Sequence, residues 1–374
     1  MAIACGWALF ASGSAQACGG GGVASKVGVT TNAQRIFMSV RANGTTDIVA
    51  QIAVTQTTAD YSVLIPVPDE PTLDSEPVSV ADFNALDQAT APVVIDAGGG
   101  DSGGPGCGCI GAGANDDDSA SAPERTVIVS SQTTIGPVVA VSLTGENGDA
   151  VRAWLTDNGF SLPQSDAAMF DRYVGKGRYF IAIKRNPETT GAGATGGGAR
   201  VASSMGIHYT LPGDHRMLSL GFTQIGAAST MALTLFLAAP QTVGPTEPFK
   251  ALTLNDIDAN TLRTNNYALA VQTAVAARDS KAFVLESSTP IASIAKSAPG
   301  LARFVDDGAT VTRATTVLPR AKIEDDVVFS TPFPNPVPSQ RFVSVGGEHV
   351  RYAGMGALAL LLTAGALRRR ARPR

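Results

Sequence analysis

A run of apolar and small residues near the C-terminus, ended by a cluster of arginines, constrains this chain more than any other feature. The run covers the 16 residues 352–367. As a helix it would reach about 24 Å, short of the roughly 30 Å hydrocarbon core of a bilayer. Snorkelling of Arg351 and Arg368 would close that difference. We expect a membrane anchor that includes Tyr352, Leu360, Leu361, Leu362, Leu367, Arg368, Arg369 and Arg370.

The flanking arginines also predict orientation. Under the positive-inside rule they stay in the cytoplasm, so the residues before the run lie outside it. The alternative is an amphipathic or buried C-terminal helix, but the run has no polar face. A Pro- and Gly-rich stretch at residues 331–350 precedes it, and the whole order is similar to the tripartite C-terminal sorting signals of bacterial surface proteins. The tail is therefore a candidate for cleavage or sorting.

The N-terminus carries the pattern of an export signal. Residues 3–10 are apolar, and Ala15-Gln16-Ala17 has the A-x-A form that precedes a cleavage site. We predict a signal peptide at residues 1–17, although no Lys or Arg precedes Lys26. The alternatives are a buried N-terminal segment or, through Cys18, a lipoprotein. Gln16 and the absence of Leu at position 15 disfavour the lipoprotein.

Composition favours an exported β-rich protein. The 374 residues are 44% hydrophobic and only 16% charged, with 40 Gly and 22 Pro. This is enough apolar material for real cores, which excludes disorder throughout. The net charge is −4, and the basic excess is confined to the extreme C-terminus, which argues against nucleic-acid binding.

Gly-rich breaks and turn signals predict the organisation between the ends. The predicted fold is α+β and predominantly antiparallel β, with two β-rich lobes, a few short helices and a C-terminal transmembrane helix. The predicted parts are a signal peptide (1–17), an N-terminal β-rich part (18–96), a Gly/Asp-rich linker (97–125), a helix-containing α+β part (126–190), a Gly-rich loop (191–200), a C-terminal β-rich lobe (201–330), a stalk (331–350), and a transmembrane segment with a cytoplasmic tail (351–374).

Periodicity places the elements within these parts. Asn147 is a candidate cap for one helix and Gly159 its end, and Ser165 is a candidate cap for a second helix through residue 174. Helices are also predicted at 80–90 and around 267–275. Strands are predicted at 36–40, 47–54, 61–67, 126–130, 138–143, 179–184, 207–211, 217–222, 231–238, 310–317 and 326–329.

Several of these stretches form a recognisable pattern. Its centre consists of Trp154-Leu155, Gly159-Phe160, Leu162-Pro163, Tyr173-Val174 and Phe180-Ile181-Ala182-Ile183-Lys184. Further parts are Ala17-Cys18-Gly19, Leu64-Ile65-Pro66-Val67-Pro68 with Pro71, and Val311-Thr312-Arg313 leading to Asp325-Asp326-Val327-Val328-Phe329. Over most of residues 17–330 the chain resembles the bacterial family called domain of unknown function 2330. The resemblance implies an exported bacterial protein, often with a C-terminal membrane tail, and implies no activity.

The hexapeptide at residues 100–105, GDSGGP, reproduces the nucleophile signature of trypsin-like serine proteases. In that family the histidine comes before the serine along the chain. Here His208, His215 and His349 all follow Ser102, so that triad cannot form. We interpret the hexapeptide as linker.

The cysteines favour a disulfide over a metal site. Cleavage after residue 17 leaves Cys18, Cys107 and Cys109, and an exported location favours their oxidation. We predict a disulfide between Cys18 and one of the other two. No matching Cys/His pair stands at metal-site spacing, so no metal is predicted.

The remaining polar motifs give weaker evidence of a functional site. The acidic run 116–118 lacks the ligand pattern of an EF-hand, and 193–198 lacks the Lys of a phosphate-binding loop. The pairs 306–307 and 325–326 are interpreted as turn and surface charges, because neighbouring residues on a strand point to opposite faces. His208 and His215 are interpreted as surface histidines.

Together these features predict a non-enzymatic envelope protein with a binding or structural ectodomain. It would be held at the membrane by its tail, without a cofactor and with an unidentified envelope protein or glycan as partner. The alternative is an extracytoplasmic hydrolase whose active site the sequence does not reveal.

Overall fold

The computed structural model describes residues 22–25, 31–52, 61–96, 127–159, 167–186, 205–258, 261–262, 267–333, 342–346 and 349–352. Short helices and many strands occupy these ranges. The helices are α1 (Val80–Thr90), α2 (Gly148–Asp157), α3 (Ala167–Val174), α4 (Tyr267–Ala276) and α5 (Pro299–Ala302). Short 3-10 helices lie at Leu220–Gln224, Leu254–Asp256, Ile291–Ser293 and Arg320–Lys322. The strands are β1 (Gly22–Ser25), β2 (Thr31–Val40), β3 (Thr45–Ile52), β4 (Tyr61–Val67), β5 (Thr72–Leu73), β6 (Val78–Ser79), β7 (Val93–Asp96), β8 (Val127–Ile135), β9 (Val138–Gly145), β10 (Tyr179–Arg185), β11 (Met205–Pro212), β12 (Met217–Leu218), β13 (Ala227–Ala239), β14 (Gly244–Pro245), β15 (Lys250–Thr253), β16 (Ala282–Pro290), β17 (Thr310–Pro319), β18 (Val327–Ser330), β19 (Phe342–Gly346) and β20 (His349–Tyr352).

Two large sheets organise these strands. A five-stranded antiparallel sheet has the order β1-β4-β10-β9-β8. A nine-stranded sheet has the order β15-β16-β17-β13-β2-β3-β11-β5, with β6 also paired to β11. Only β13 with β2 and β15 with β16 are parallel pairs within it. Two three-stranded sheets, β12-β18-β14 and β20-β19-β7, complete the pairing. The prediction of a β-rich, mainly antiparallel fold with short helices is confirmed.

The two large sheets stack, and helices cover their outer faces. Along β2, Ile36 and Met38 point into the core between the sheets, and Phe37 points into the opposite core. This alternation is the period of a strand with both faces buried. Helices α1 and α5 cover the outer face of the nine-stranded sheet, and α2 and α3 cover that of the five-stranded sheet. The α4 helix packs beside the five-stranded sheet, onto β16 and β17.

Local capping explains why α2 lies where the sequence predicts it. The side chain of Asn147 accepts a hydrogen bond from the amide of Ala150 at 2.9 Å. Gly159, just beyond the helix, has a φ of +82°, a conformation that favours glycine. The sequence-predicted helix 80–90 likewise coincides with α1, whose cap is Ser79.

One predicted strand is wrong in part. Residues 217–222 continue only two residues as β12 before the chain enters the 3-10 helix Leu220–Gln224. At Gly221 the backbone approaches Glu324 so closely that a Cβ would lie 2.9 Å from its carbonyl oxygen. Glycine at position 221 therefore allows close packing against Glu324 and does not mark an extended strand.

The predicted C-terminal helix does not begin at Tyr352. Arg351 and Tyr352 belong to β20, where they pair with Ser344 and Val343 of β19. No helix within the described residues is long and apolar enough to cross a bilayer. The other predicted anchor residues, from Leu360 to Arg370, lie outside the described residues.

The N-terminal strands are shared between the two large sheets. β2 and β3 join the nine-stranded sheet, whereas β4 pairs with β10 of the five-stranded sheet. The described strands of residues 18–96 therefore belong to more than one sheet, and the domain boundaries drawn from the sequence stay a prediction.

Candidate functional site

A buried histidine is held between two carboxylates in the described part of the chain. Nε2 of His208 lies 3.0 Å from Oδ1 of Asp47, and Nδ1 lies 3.2 Å from Oδ2 of Asp74. His208 and Asp47 are each only 7% exposed. Thr210 contacts Asp47, and Phe304 contacts His208. We call these five residues, His208, Asp47, Asp74, Thr210 and Phe304, the His208 cluster.

Strand register brings the cluster together. In the antiparallel pair of β3 and β11, Thr210 lies opposite Asp47, so His208 projects from the same face two residues away. The Thr210 hydroxyl donates to Oδ1 of Asp47 at 2.7 Å. Asp74 follows β5, and its amide donates to the carbonyl of His208 at 3.2 Å. Both carboxylates are therefore fixed by backbone pairing to the strand that carries the imidazole.

An aromatic ring and two arginines close the outer side of the cluster. The rings of His208 and Phe304 stack with centroids 3.9 Å apart. Arg41 donates to Oδ2 of Asp47 at 3.2 Å and to Oδ1 of Asp306 at 2.7 Å. Arg303 lies over the Phe304 ring at 4.7 Å and 4.0 Å from Asp74. These contacts tie the segment after α5 to the β2–β3 hairpin.

The surroundings keep both carboxylates ionised. Burial acts to raise the pKa of Asp47, but hydrogen bonds from His208 and Thr210, together with the charges of His208 and Arg41, outweigh it. The pKa of Asp47 is consequently below its ordinary value of 3.8. For Asp74, burial is again outweighed, here by hydrogen bonds from Glu76 and His208 and by the charge of Arg303, and its pKa is also lowered.

The cluster leaves no free ring nitrogen for chemistry. A neutral imidazole donates at one nitrogen and accepts at the other, whereas the imidazolium donates at both. Ionised carboxylates only accept, so a protonated His208 satisfies both Asp47 and Asp74. A general base needs one nitrogen directed at a substrate or nucleophile. In His208 both are directed at carboxylates.

A second buried network crosses the same face of the nine-stranded sheet. Glu286 has no exposed surface and accepts hydrogen bonds from Arg313 and, at 2.5 Å, from the Tyr267 hydroxyl. Arg313 also donates to Asp87 of α1. Burial acts to lower the pKa of Arg313, but the charges of Glu286 and Asp87 outweigh it and raise that pKa. A register shift between Leu285 and Ser287 makes Glu286 the extra residue of a β-bulge.

A third polar group links the covering layer of the five-stranded sheet to the segment before β18. Asp326 accepts hydrogen bonds from the Tyr173 hydroxyl and, at 3.3 Å, from the amide of Gly221. Lys176 also donates to it at 3.2 Å. Burial, followed by the hydrogen bond to Asp326, raises the pKa of Tyr173. The neighbouring Asp325 turns away to Lys281, 2.6 Å distant, so the two carboxylates do not face one substrate.

Comparison with known proteins places the chain in a family. The family described as "Uncharacterized protein conserved in bacteria (DUF2330)" matches residues 13–202. The chain belongs to this family. The match contains Asp47 and Asp74 of the His208 cluster, whereas His208 itself and the stretches at 311–313 and 325–329 lie beyond it.

Comparisons with curated proteins and solved structures add little information about this DUF2330 protein. No curated protein matches it. A crystal structure of a mutated baculovirus P35 after caspase cleavage is similar over 59% of this chain and 76% of that one, at 7% identity and a TM-score of 0.28. A likeness at that TM-score supports no inference about the DUF2330 chain.

The structure corrects part of the sequence interpretation of the polar motifs. His208 is buried, and Asp326 has a side chain only 12% exposed, so neither is a surface residue. His215 is partly exposed, with Nε2 within 3.0 Å of Asp69 and 2.6 Å of the Pro212 carbonyl. Among the described residues, no three or more His, Cys, Asp or Glu side chains are arranged so that they could hold a metal ion. The motifs that lie outside those residues are Cys18, Cys107, Cys109, and residues 100–105, 116–118 and 193–198.

Sequence reasoning missed the carboxylates that organise the interior. Asp47 is the one charged residue of β3, and Glu286 the one charged residue of β16. A single charge within an otherwise apolar or uncharged strand indicates a buried, paired group, because unpaired charges are not tolerated in a core. That signal was present, but it does not identify the partner.

Proposed function

We propose that this DUF2330 protein is an exported, membrane-anchored envelope protein whose ectodomain acts by binding or structural support and not by catalysis. The observation that carries the non-catalytic part is the saturation of His208, whose two ring nitrogens both lie against carboxylates. Glu286 is likewise fully buried, and each of its carboxylate oxygens accepts a hydrogen bond from a neighbouring side chain. These groups hold strands and helices together rather than facing a substrate.

The compartment rests on the two ends of the chain. The Ala15-Gln16-Ala17 pattern supports export, and the apolar run with its arginines supports retention at a membrane. In the same proposal Cys18 forms a disulfide with Cys107 or Cys109, which an oxidising compartment allows. The partner is an envelope protein or glycan, and no cofactor takes part.

A hydrolase is the competing function, because an Asp–His pair such as Asp47–His208 is the orienting half of a nucleophilic triad. Asp74, however, lies where the nucleophile would have to lie. The test is turnover of generic peptide, ester and glycan substrates by the purified chain and by His208→Ala, His215→Ala and Ser102→Ala. Circular dichroism verifies that each variant is folded.

We expect no turnover above background in any of these proteins. Turnover by the unaltered chain that persists in His215→Ala and disappears in a folded His208→Ala or Ser102→Ala would overturn the non-catalytic proposal.

A further inference from the structure

The outermost strand of the five-stranded sheet has one open edge. β8 pairs with β9, and no other described strand pairs with it. Its nine residues extend over about 30 Å. On either side of a register shift between Val129 and Ser131, every second pair of backbone N–H and C=O groups points away from the sheet. The other terminal strands of the two large sheets, β1, β15 and β5, are only four, four and two residues long.

The first half of β8 also protrudes from the layers around it. Ile128 is 58% exposed and Val129 is 44% exposed, and Ser130 after them is exposed as well. Successive side chains of a strand point to opposite faces. Exposure of consecutive residues therefore means that both faces of the strand are open there.

β8 lacks most of the features that normally keep an exposed edge from pairing. Such edges usually carry charged residues or proline, contain a β-bulge, or are very short. Of these, β8 has only a bulge, at Ser130, where its register with β9 shifts between Val129 and Ser131. β8 contains neither charge nor proline, and six of its nine residues are β-branched. Charged residues are absent over the whole hairpin, from Val127 to Gly145. A long, uncharged, β-branched edge of this kind favours addition of another strand.

We propose that β8 pairs antiparallel with β8 of a second copy of this chain across a two-fold axis. The two five-stranded sheets would then continue into one another as a single ten-stranded sheet. Two-fold, self-complementary contacts are the commonest form of homo-oligomer. An edge without charge meets its own copy without like-charge repulsion, whereas a charged partner would find no complement on it. Gln132 and Thr134 supply uncharged polar side chains for cross-strand contacts.

The experiment measures the mass of the full-length chain in non-ionic detergent by light scattering over a range of concentrations. We expect about twice the chain mass of 38.2 kDa at high protein concentration. Ile128→Lys places a charge on the pairing edge and should raise the dissociation constant at least tenfold. Val328→Lys is the matched control, because Val328 is 47% exposed on β18, which has neighbours on both sides. It should leave the dissociation constant unchanged.

Hydrogen exchange of the β8 amides separates the outcomes. In the dimer the β8 amides that point away from β9 should become protected as the protein concentration rises, and Ile128→Lys should remove that protection. A chain that stays monomeric at all concentrations overturns the proposal, including the case in which β8 is protected by another segment of the same chain. A dimer that Ile128→Lys leaves intact, with unprotected β8 amides, overturns it as well.

Discussion

His208 and Phe304 lie face to face, with ring centroids 3.9 Å apart and an angle of 19° between the ring planes. The stack joins β11 to the segment that follows α5. Because Asp47 and Asp74 hold the imidazole edge-on while Phe304 covers its face, the ring is fixed in both direction and tilt. The cluster therefore holds the outer layer against the nine-stranded sheet.

Replacement of His208 by alanine should lower the free energy of unfolding by about 2–3 kcal/mol, because it leaves the buried Asp47 without its main partner. Urea unfolding monitored by circular dichroism measures the change. His215→Ala is the control and should cost less than about 1 kcal/mol, since the contacts of His215 are partly exposed. If the free energy of unfolding falls equally in the two variants, His208 does not hold the outer layer against the sheet.

Acid should weaken the fold through Asp47 and Asp74. A carboxyl whose pKa is lowered in the folded protein stabilises the fold above its unfolded pKa, and that stabilisation is lost as the pH falls through the folded pKa. Both pKa values lie below 3.8 in the fold, so the free energy of unfolding should decline from about pH 5 downwards. Asp47→Asn should make this decline shallower, whereas the exposed Asp307→Asn should leave it unchanged. The measurement is urea unfolding from pH 3 to pH 7; an unaltered slope in Asp47→Asn would be evidence against the pairing.

Breaking the buried ion pair of Glu286 and Arg313 should lower the free energy of unfolding more than removing any surface charge. Glu286→Ala leaves Arg313 buried without one of its two carboxylates and should lower the free energy of unfolding by about 3–5 kcal/mol. Glu286→Gln keeps the shape and an acceptor, and should recover part of that loss. If Glu286→Ala costs no more than Asp307→Ala, the network does not stabilise the fold.

Adjacent aspartates provide a matched pair of variants. Asp326→Asn weakens charge-assisted hydrogen bonds from Tyr173 and Gly221 and should cost about 1.5–3 kcal/mol. Asp325→Asn removes an ion pair to Lys281 in which both side chains are more than a third exposed, and should cost less than Asp326→Asn. The order of the two losses in thermal or urea unfolding is decisive: reversal would show that Asp326 is not the link between the layers.

Elements with a strong local signal were predictable from the sequence. Asn147 and Gly159 mark the two ends of α2 by their own chemistry, and the strand predicted at 61–67 coincides with β4. Alternating or continuous apolar runs between turn residues are sufficient for such elements.

The candidate site was not predictable, because its members meet only through tertiary pairing. Asp47 and His208 are joined by the register of β3 and β11, and Asp74 by the short strand β5. β16 was missed because Glu286 interrupts its apolar pattern, and only the partner Arg313 makes that charge tolerable. The spacing of residues along the sequence shows neither the register of paired strands nor the partner of a buried charge.

Export and membrane anchoring are tested by the compartment and processing of the full-length protein in bacterial cells. Fractionation followed by intact-mass analysis should place it in the envelope, beginning at Cys18, with the ectodomain accessible to protease added outside the inner membrane. An unprocessed chain recovered free in the cytosol with reduced cysteines would contradict both.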